Sequence, residues 1–402
     1  MLDAVRDQNI GTGGAGRLYA MTTIAMYDAV NGMDRRTPEV LQPNRGHALV
    51  PPDGAPNPLL ANRGLAAAVA AYTVLSELVP EQSAKLDQAL MQEIANSKLP
   101  GIRLWRSLLW GGFVGNQVLS VRANDGSQGA EILSASSDAG RFRNDWDGQL
   151  RNMLPFGISD PSEFISPDGP PARTSNEYAL AVYRSVLFGA PDGNPEHDAL
   201  AQFWRFPSNS VRETGGWFPA ALEVARQQGT TASVSDTARL FALLGMAIAD
   251  SVIVVWNEKA LHLTWRPVTA IRRANEDGNP LTDAFWDPDF VSRFGQVGGS
   301  PEWTSGQANF AGAGAGVLSG FYCRDDIAFS FNAGNTAEPR SYTSFSEARR
   351  EAVFSRILQG NHFEFTLNRS EQTGSAMANE IIRSRLTRMN PIPGVSEACS
   401  QF

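Results

Sequence analysis

Three short stretches of the 402-residue chain gather side chains able to hold an anion. In "WNEKALHLTWRPVTAIRR", Lys259 and Arg266 stand seven residues apart, about two turns if helical, so both can project from one face. Trp256 and His262 flank Lys259 at three residues on either side, and Pro267 bends or restarts the chain after Arg266. In "PEWTSGQANF", Ser305 offers a hydroxyl and Gly306 lets backbone approach a ligand. The small-residue run after it starts a helix whose first N–H groups attract negative charge. In "SRILQGNHFEF", Arg356 ends a helix and His362 follows the turn at Gly360. Singly these read as a solvated basic stripe, an N-cap and a hydrogen-bonded histidine. Together they could serve one anion, because charged donors and a helix start would face it.

The elements that must carry these segments are helices. Apolar residues recur three and four apart over 16–32, 60–78, 81–94, 101–122, 177–188 and 237–261. Further helices are expected over 307–321, 344–359 and 371–386, and no run alternates over strand length. The expected class is mainly α: helical bundles with long connecting loops at 34–58, 125–175, 276–303 and 324–342. The 125–175 connector suggests an N-terminal helical half, 1–150, and a C-terminal half, 151–402, that carries the oxyanion site, with a single shared core as the alternative.

A net charge of -8 argues against a nucleic-acid surface, which needs clustered Lys and Arg. Cys323 and Cys399 are too few for a disulfide framework, though one bridge between them stays open. The opening "MLDAVRDQNI" has no signal-peptide pattern, so a soluble protein is expected, either cytoplasmic or trimmed at its N-terminus. The apolar stretch 240–256 is interrupted by Asp250 and Ser251 and reads as a buried core helix, not a membrane span. Gly11-Thr12-Gly13-Gly14-Ala15-Gly16 matches a dinucleotide fingerprint as a string, but no strand precedes it and no βαβ unit follows.

Lys259 through six residues to Arg266-Pro267, then Ser305-Gly306, then Ser355-Arg356 through five residues to His362, resembles the three-part signature of vanadium-dependent haloperoxidases. Acid phosphatases of the type-2 phosphatidic acid phosphatase superfamily share it. "LYAMTTIAMYDAVNGM" near the N-terminus also resembles bacterial members. The resemblance implies that Lys259, Arg266 and Arg356 hold the oxygens of vanadate, with Ser305 and the Gly306 N–H hydrogen-bonding to it. His362 would then bond the metal axially, and phosphate could take the same place. Ser300, seven before Gln307, stands where several fungal and algal members carry an aromatic residue or histidine. A small residue there resembles bacterial chloroperoxidases acting on naphthoquinone-type natural products.

The departure is Gln307. Where the family has Pro-Ser-Gly-His, this chain has Thr304-Ser305-Gly306-Gln307, and the family's histidine is its acid–base group. Glutamine keeps a hydrogen bond but cannot exchange a proton near neutral pH. Of the other imidazoles, His47, His197 and His262, only His262 has a place near Lys259 from which to act as a surrogate. The implied activity is oxidation of halide by hydrogen peroxide and halogenation of a small organic substrate. A non-redox hydroxyketone-type rearrangement, an acid phosphatase and a non-catalytic oxyanion-binding protein are the alternatives, and homo-oligomerisation is left open.

Overall fold

Apolar spacing and capping chemistry together build a mainly helical protein. The computed structural model describes all residues except 35–47, 50–55, 167, 335, 337 and 389–402; His47 and Cys399 therefore lie outside the described residues. From the N-terminus run α1 (Leu2–Asp7), α2 (Thr12–Asn31), α3 (Arg63–Leu78), α4 (Ser83–Ser97) and α5 (Gly101–Val121). A short hairpin of β1 (Ile132–Leu133) and β2 (Trp146–Asp147) follows. Next come α6 (Asn176–Gly189), α7 (Pro195–Phe203), α8 (Arg212–Gly215), α9 (Trp217–Gln227), α10 (Val234–His262) and α11 (Pro267–Arg272). The chain ends with α12 (Gly306–Tyr322), an antiparallel hairpin of β3 (Phe329–Phe331) and β4 (Arg340–Tyr342), α13 (Phe345–Leu358) and α14 (Glu364–Ser384).

Caps set several of these starts. Asn62, Ser175, Ser233, Ser305 and Ser344 each accept a backbone N–H from the first turn of the helix they precede. Three differences from the sequence expectation have local causes. The hairpin strands are two or three residues long, too short to give a period of two. Helix α14 starts at Glu364, seven residues earlier than its periodicity suggests, because its first turns bury Thr366 and Ser370 as well as Leu367. Helices α7 and α9 lie in a stretch where no helix was expected, although α9 buries Trp217, Ala220, Ala221 and Val224 at helical spacing.

Helix α10 is the axis of the molecule. It packs against α2, α12 and α14, so the main core runs from Ala4 to Leu386. It is the one described helix long and apolar enough to cross a membrane, yet 94% of its most apolar window is buried inside the protein. Asp250 in its middle is fully buried and accepts three backbone N–H groups, from Phe156 (2.6 Å), Gly157 (2.7 Å) and Ile158 (2.8 Å). Burial pushes its carboxyl up to about 6, against the pull of those donors. The connector between the first five helices and α6 is thereby pinned to the axis. An amide at this position turns an NH₂ toward backbone donors. Asp250→Asn is therefore expected to lower the free energy of unfolding by about 1–3 kcal/mol, the cost of one orphaned buried donor. Urea titration at neutral pH checks this.

Helices α12 and α14 meet at close range. The run "AGAGAG" in α12 keeps its side small, and a Cβ at Gly312 would overlap the Glu371 carbonyl oxygen. Reciprocally, a Cβ at Gly374 would overlap the carbonyl oxygen of Asn309. A smaller cluster holding Tyr178, Trp265, Val268, Ile271, Phe290 and Phe363 packs beside the main core. Its members Trp265 and Phe363 adjoin Arg266 and His362 in sequence.

Candidate oxyanion site

Helix α10 ends at His262, and Leu263 takes a left-handed conformation (φ 46°, ψ 46°) that turns the chain. Lys259 and Arg266 therefore do not share a helix face, contrary to the spacing argument. Arg266 instead occupies the N-cap of α11, with Pro267 as the first helical residue, so the restart expected at the proline is real. From there its guanidinium reaches across the site. Nε donates to the Ser300 carbonyl (2.7 Å) and Nη2 to the Ser300 hydroxyl (3.0 Å). Nη1 donates to the Asn361 carbonyl (2.8 Å) and lies 2.9 Å from His362 Nε2. Lys259, on the last turn of α10, donates from Nζ to the Pro301 carbonyl. The segments carrying Lys259 to Arg266, Ser300 to Gln307, and Arg356 to His362 are thus joined through side chains at one place.

Helix α13 supplies Arg356 on its last turn, and Gly360 closes the turn after it at φ 68°, a conformation that favours glycine. Arg356 Nη1 donates to Gln359 Oε1 (2.6 Å), while its Nε is buried with no partner. Ser305 caps α12, accepting from the Ala308 N–H at 3.3 Å, and its own N–H donates to Ser370 Oγ (2.9 Å). That cap leaves the N–H groups of Gly306 and Gln307 without an acceptor inside the helix. Gly306 has a packing reason as well, since a Cβ there would meet the Phe310 ring at 3.2 Å. Gln307 donates from Nε2 to the Trp204 carbonyl (2.8 Å), and its Oε1 is buried without a partner.

Charge is the dominant fact. Lys259, Arg266 and Arg356 are all buried, and burial followed by mutual repulsion lowers Lys259 well below the ordinary lysine range. Burial brings Arg266 and Arg356 down to about 10. Two carboxylates act on all or part of this cluster: buried Glu302, and Glu213, half-buried and held by the Thr12 hydroxyl at 2.8 Å. Burial pushes Glu302 up to about 7, with Arg266 the largest opposing influence. His362 is held well below its ordinary value by burial and by the three cations, so its imidazole is neutral. Its Nε2 faces the donor Arg266, so Nδ1 carries the proton and donates to Glu302 Oε1 at 3.1 Å. Glu302 is itself fixed by the Phe363 N–H (3.0 Å) and the Thr366 hydroxyl (2.8 Å).

Sequence reasoning missed Glu302, although it stands inside the quoted loop three residues before Ser305; the signal was a lone acid beside three cationic segments. It also missed Asn361, whose carbonyl holds Arg266 and whose Oδ1 is buried without a partner. His262 does not join the cluster. It is half-buried and sits edge-on to Trp303 with centroids 6.2 Å apart. Trp256 likewise turns away, packing on Trp146 at 5.9 Å. His197 pairs with Asp192 at 2.5 Å beside Phe188 and Phe354.

A tetrahedral oxyanion fits this donor set. Three buried cations outnumber their carboxylates, the Arg356 Nε is orphaned, the His362 imidazole is neutral, and α12 begins at Gly306 with free first-turn N–H groups. The orphaned Gln307 Oε1 suits a hydroxyl on that anion.

Known proteins resemble the chain in fold and, over part of it, in sequence. Residues 239–390 match the family model described as the VCPO second helical-bundle domain. The vanadium chloroperoxidase of Curvularia inaequalis is 31% identical over 188 residues, which is 38% of this chain and 29% of that protein. The first bacterial vanadium-dependent iodoperoxidase of known structure superposes with a TM-score of 0.78 at 21% identity, over 97% of this chain and 95% of that one. A holo-type bacterial vanadium-dependent chloroperoxidase gives 0.71 at 17% identity, over 93% and 92%. The fold is helical, and its cationic cluster is one that an oxyanion would suit. Over residues 239–390 the chain is thus similar to the VCPO second helical-bundle domain, and as a whole it shares the fold of those bacterial vanadium-dependent peroxidases.

Proposed function

We propose that this protein binds vanadate at the cluster of Lys259, Arg266, Ser305, Gly306, Arg356 and His362 and oxidises halide with hydrogen peroxide, halogenating a small organic substrate. The observation that carries the reading is the uncompensated buried charge around a neutral, carboxylate-oriented imidazole. Vanadate, when bound, supplies the Lewis acidity that activates peroxide toward halide. Lys259, Arg266 and Arg356 would neutralise its oxygens, and the head of α12 would add backbone donors. His362 Nε2, which now faces Arg266 Nη1 at 2.9 Å, would be the nitrogen that holds the metal. Ser300 holds the Arg266 guanidinium through both its carbonyl and its hydroxyl. Phosphate, with the same shape and charge, competes for the place.

Gln307 favours a second reading. Its Nε2 is committed to the Trp204 carbonyl and it cannot shuttle a proton, so the pocket also suits a non-redox rearrangement of a hydroxyketone, with the cations polarising a carbonyl. An acid phosphatase loses its proton donor at the same residue. Isothermal titration with vanadate, followed by monochlorodimedone turnover with peroxide and halide, tests the main reading. Absence of vanadate binding sinks it, and binding without halide oxidation moves the assignment to the rearrangement.

Glu302 gives a sharper expectation. An acceptor that orients a ligating imidazole typically changes metal affinity about 10–100-fold when mutated. Glu302→Gln should weaken vanadate by about that factor while Glu302→Asp retains part of it. The ¹⁵N shifts of the His362 ring in the vanadate-free protein report whether the Nδ1–H tautomer has been lost.

A further inference from the structure

His262, left without a part in the oxyanion cluster, lines a separate cavity of about 370 Å³, within the size range of small-molecule pockets. Tyr178, Trp265 and Phe363 provide aromatic surface there, with Tyr178 and Phe363 centroids 5.6 Å apart and the Trp265 indole donating to the Tyr178 hydroxyl at 3.1 Å. Arg141 and Arg173 bring positive charge. Each commits Nη1 to a backbone carbonyl, Arg141 to His262 at 3.0 Å and Arg173 to Asp277 at 3.2 Å, which fixes the guanidinium and keeps other donors for a ligand. Glu302 forms part of the wall, but its oxygens are engaged by His362, Phe363 and Thr366, so the cavity's available charge is cationic. His262 Nε2 is buried with no protein partner, and a backbone bond to Ser166 engages the other side of the ring.

We propose that this cavity is a binding site for a planar hydroxylated aromatic acid, its ring against Tyr178, Trp265 and Phe363, its carboxylate on Arg141 and Arg173, and its hydroxyl donating to His262. Aromatic surface selects a flat π-system, paired guanidinium groups select an anion, and an imidazole nitrogen with no partner selects a donor. The cavity backs directly onto the oxyanion site, because Glu302 belongs to both. Calling the occupant the organic substrate rests on the haloperoxidase reading; its binding does not.

Isothermal titration of the full chain, without vanadate, with 4-hydroxybenzoate and with benzoate tests this. Saturable one-site binding of 4-hydroxybenzoate is expected, unchanged by saturating phosphate. Arg173→Gln should weaken both probes about tenfold or more, whereas His262→Phe should weaken 4-hydroxybenzoate alone. No heat at millimolar probe, displacement by phosphate, or wild-type affinity in both variants would overturn the proposal, and the first two outcomes need no variant. Vanadate titrated into the same samples reads the other site. Its failure beside intact 4-hydroxybenzoate binding sinks the haloperoxidase function and leaves this site standing.

Discussion

Gln307→Ala removes a hydrogen bond, but Gln307→His is expected to raise peroxide-dependent halide oxidation by about 10²–10⁴-fold, the usual worth of a positioned acid–base group. Residue 307 sits in the first turn of α12, with its amide nitrogen tied to the Trp204 carbonyl and its amide oxygen buried and unpaired. An imidazole in this position can keep the bond to Trp204 with one N–H and turn its second nitrogen to the anion. The helix head and nearby cations favour its neutral form, which is the form able to take a proton from peroxide. Monochlorodimedone turnover of both proteins, with vanadate affinity measured alongside, checks the gain. Equal turnover at equal vanadate occupancy rules out residue 307 as the limiting proton carrier.

Arg356→Ala is expected to weaken vanadate and phosphate about 10–100-fold, since a charge-assisted hydrogen bond contributes about 1.5–3 kcal/mol. The anion-free protein should lose little stability, or gain some. Arg356 is buried beside two other cations, its one carboxylate influence is the half-buried Glu213, and its Nε has no partner. Removing it relieves repulsion and desolvation, offset by the volume left behind. Thermal unfolding with and without vanadate separates the two effects. The variant should match the wild type without ligand and show a much smaller ligand-induced rise in Tm. A variant that unfolds early yet binds vanadate normally would show that Arg356 serves packing, not the anion.

Much of the candidate site was legible because the buried Lys259, Arg266, Arg356 and His362 stand in an order and spacing that resemble a known signature. Their geometry was not. The route from Lys259 to Arg266 depends on the left-handed turn at Leu263, which no periodicity encodes, while His262, the last residue of α10, lines a different cavity. Glu302 was visible as a letter, but its partners Phe363 and Thr366 are some sixty residues away, so only the fold makes it a support for His362. Long helices were readable from apolar stripes. The start of α14 was not, because its buried face uses threonine and serine where a stripe would use leucine.

The glycine seam between α12 and α14 divides the protein for anyone who would redesign its chemistry. One side of the anion site, the head of α12, is tied by Ser305 N–H to Ser370 and held a few turns later by Gly312 and Gly374, where even a methyl group would strike backbone. A library that randomises those glycines will return mostly unfolded clones, whatever activity is selected. Ser300 touches the site through a side chain that nothing so rigid confines, as does Gln307, and substitutions at these two positions leave the seam alone. New reactivity, whether sought in the laboratory or acquired by descent, has its accessible route there.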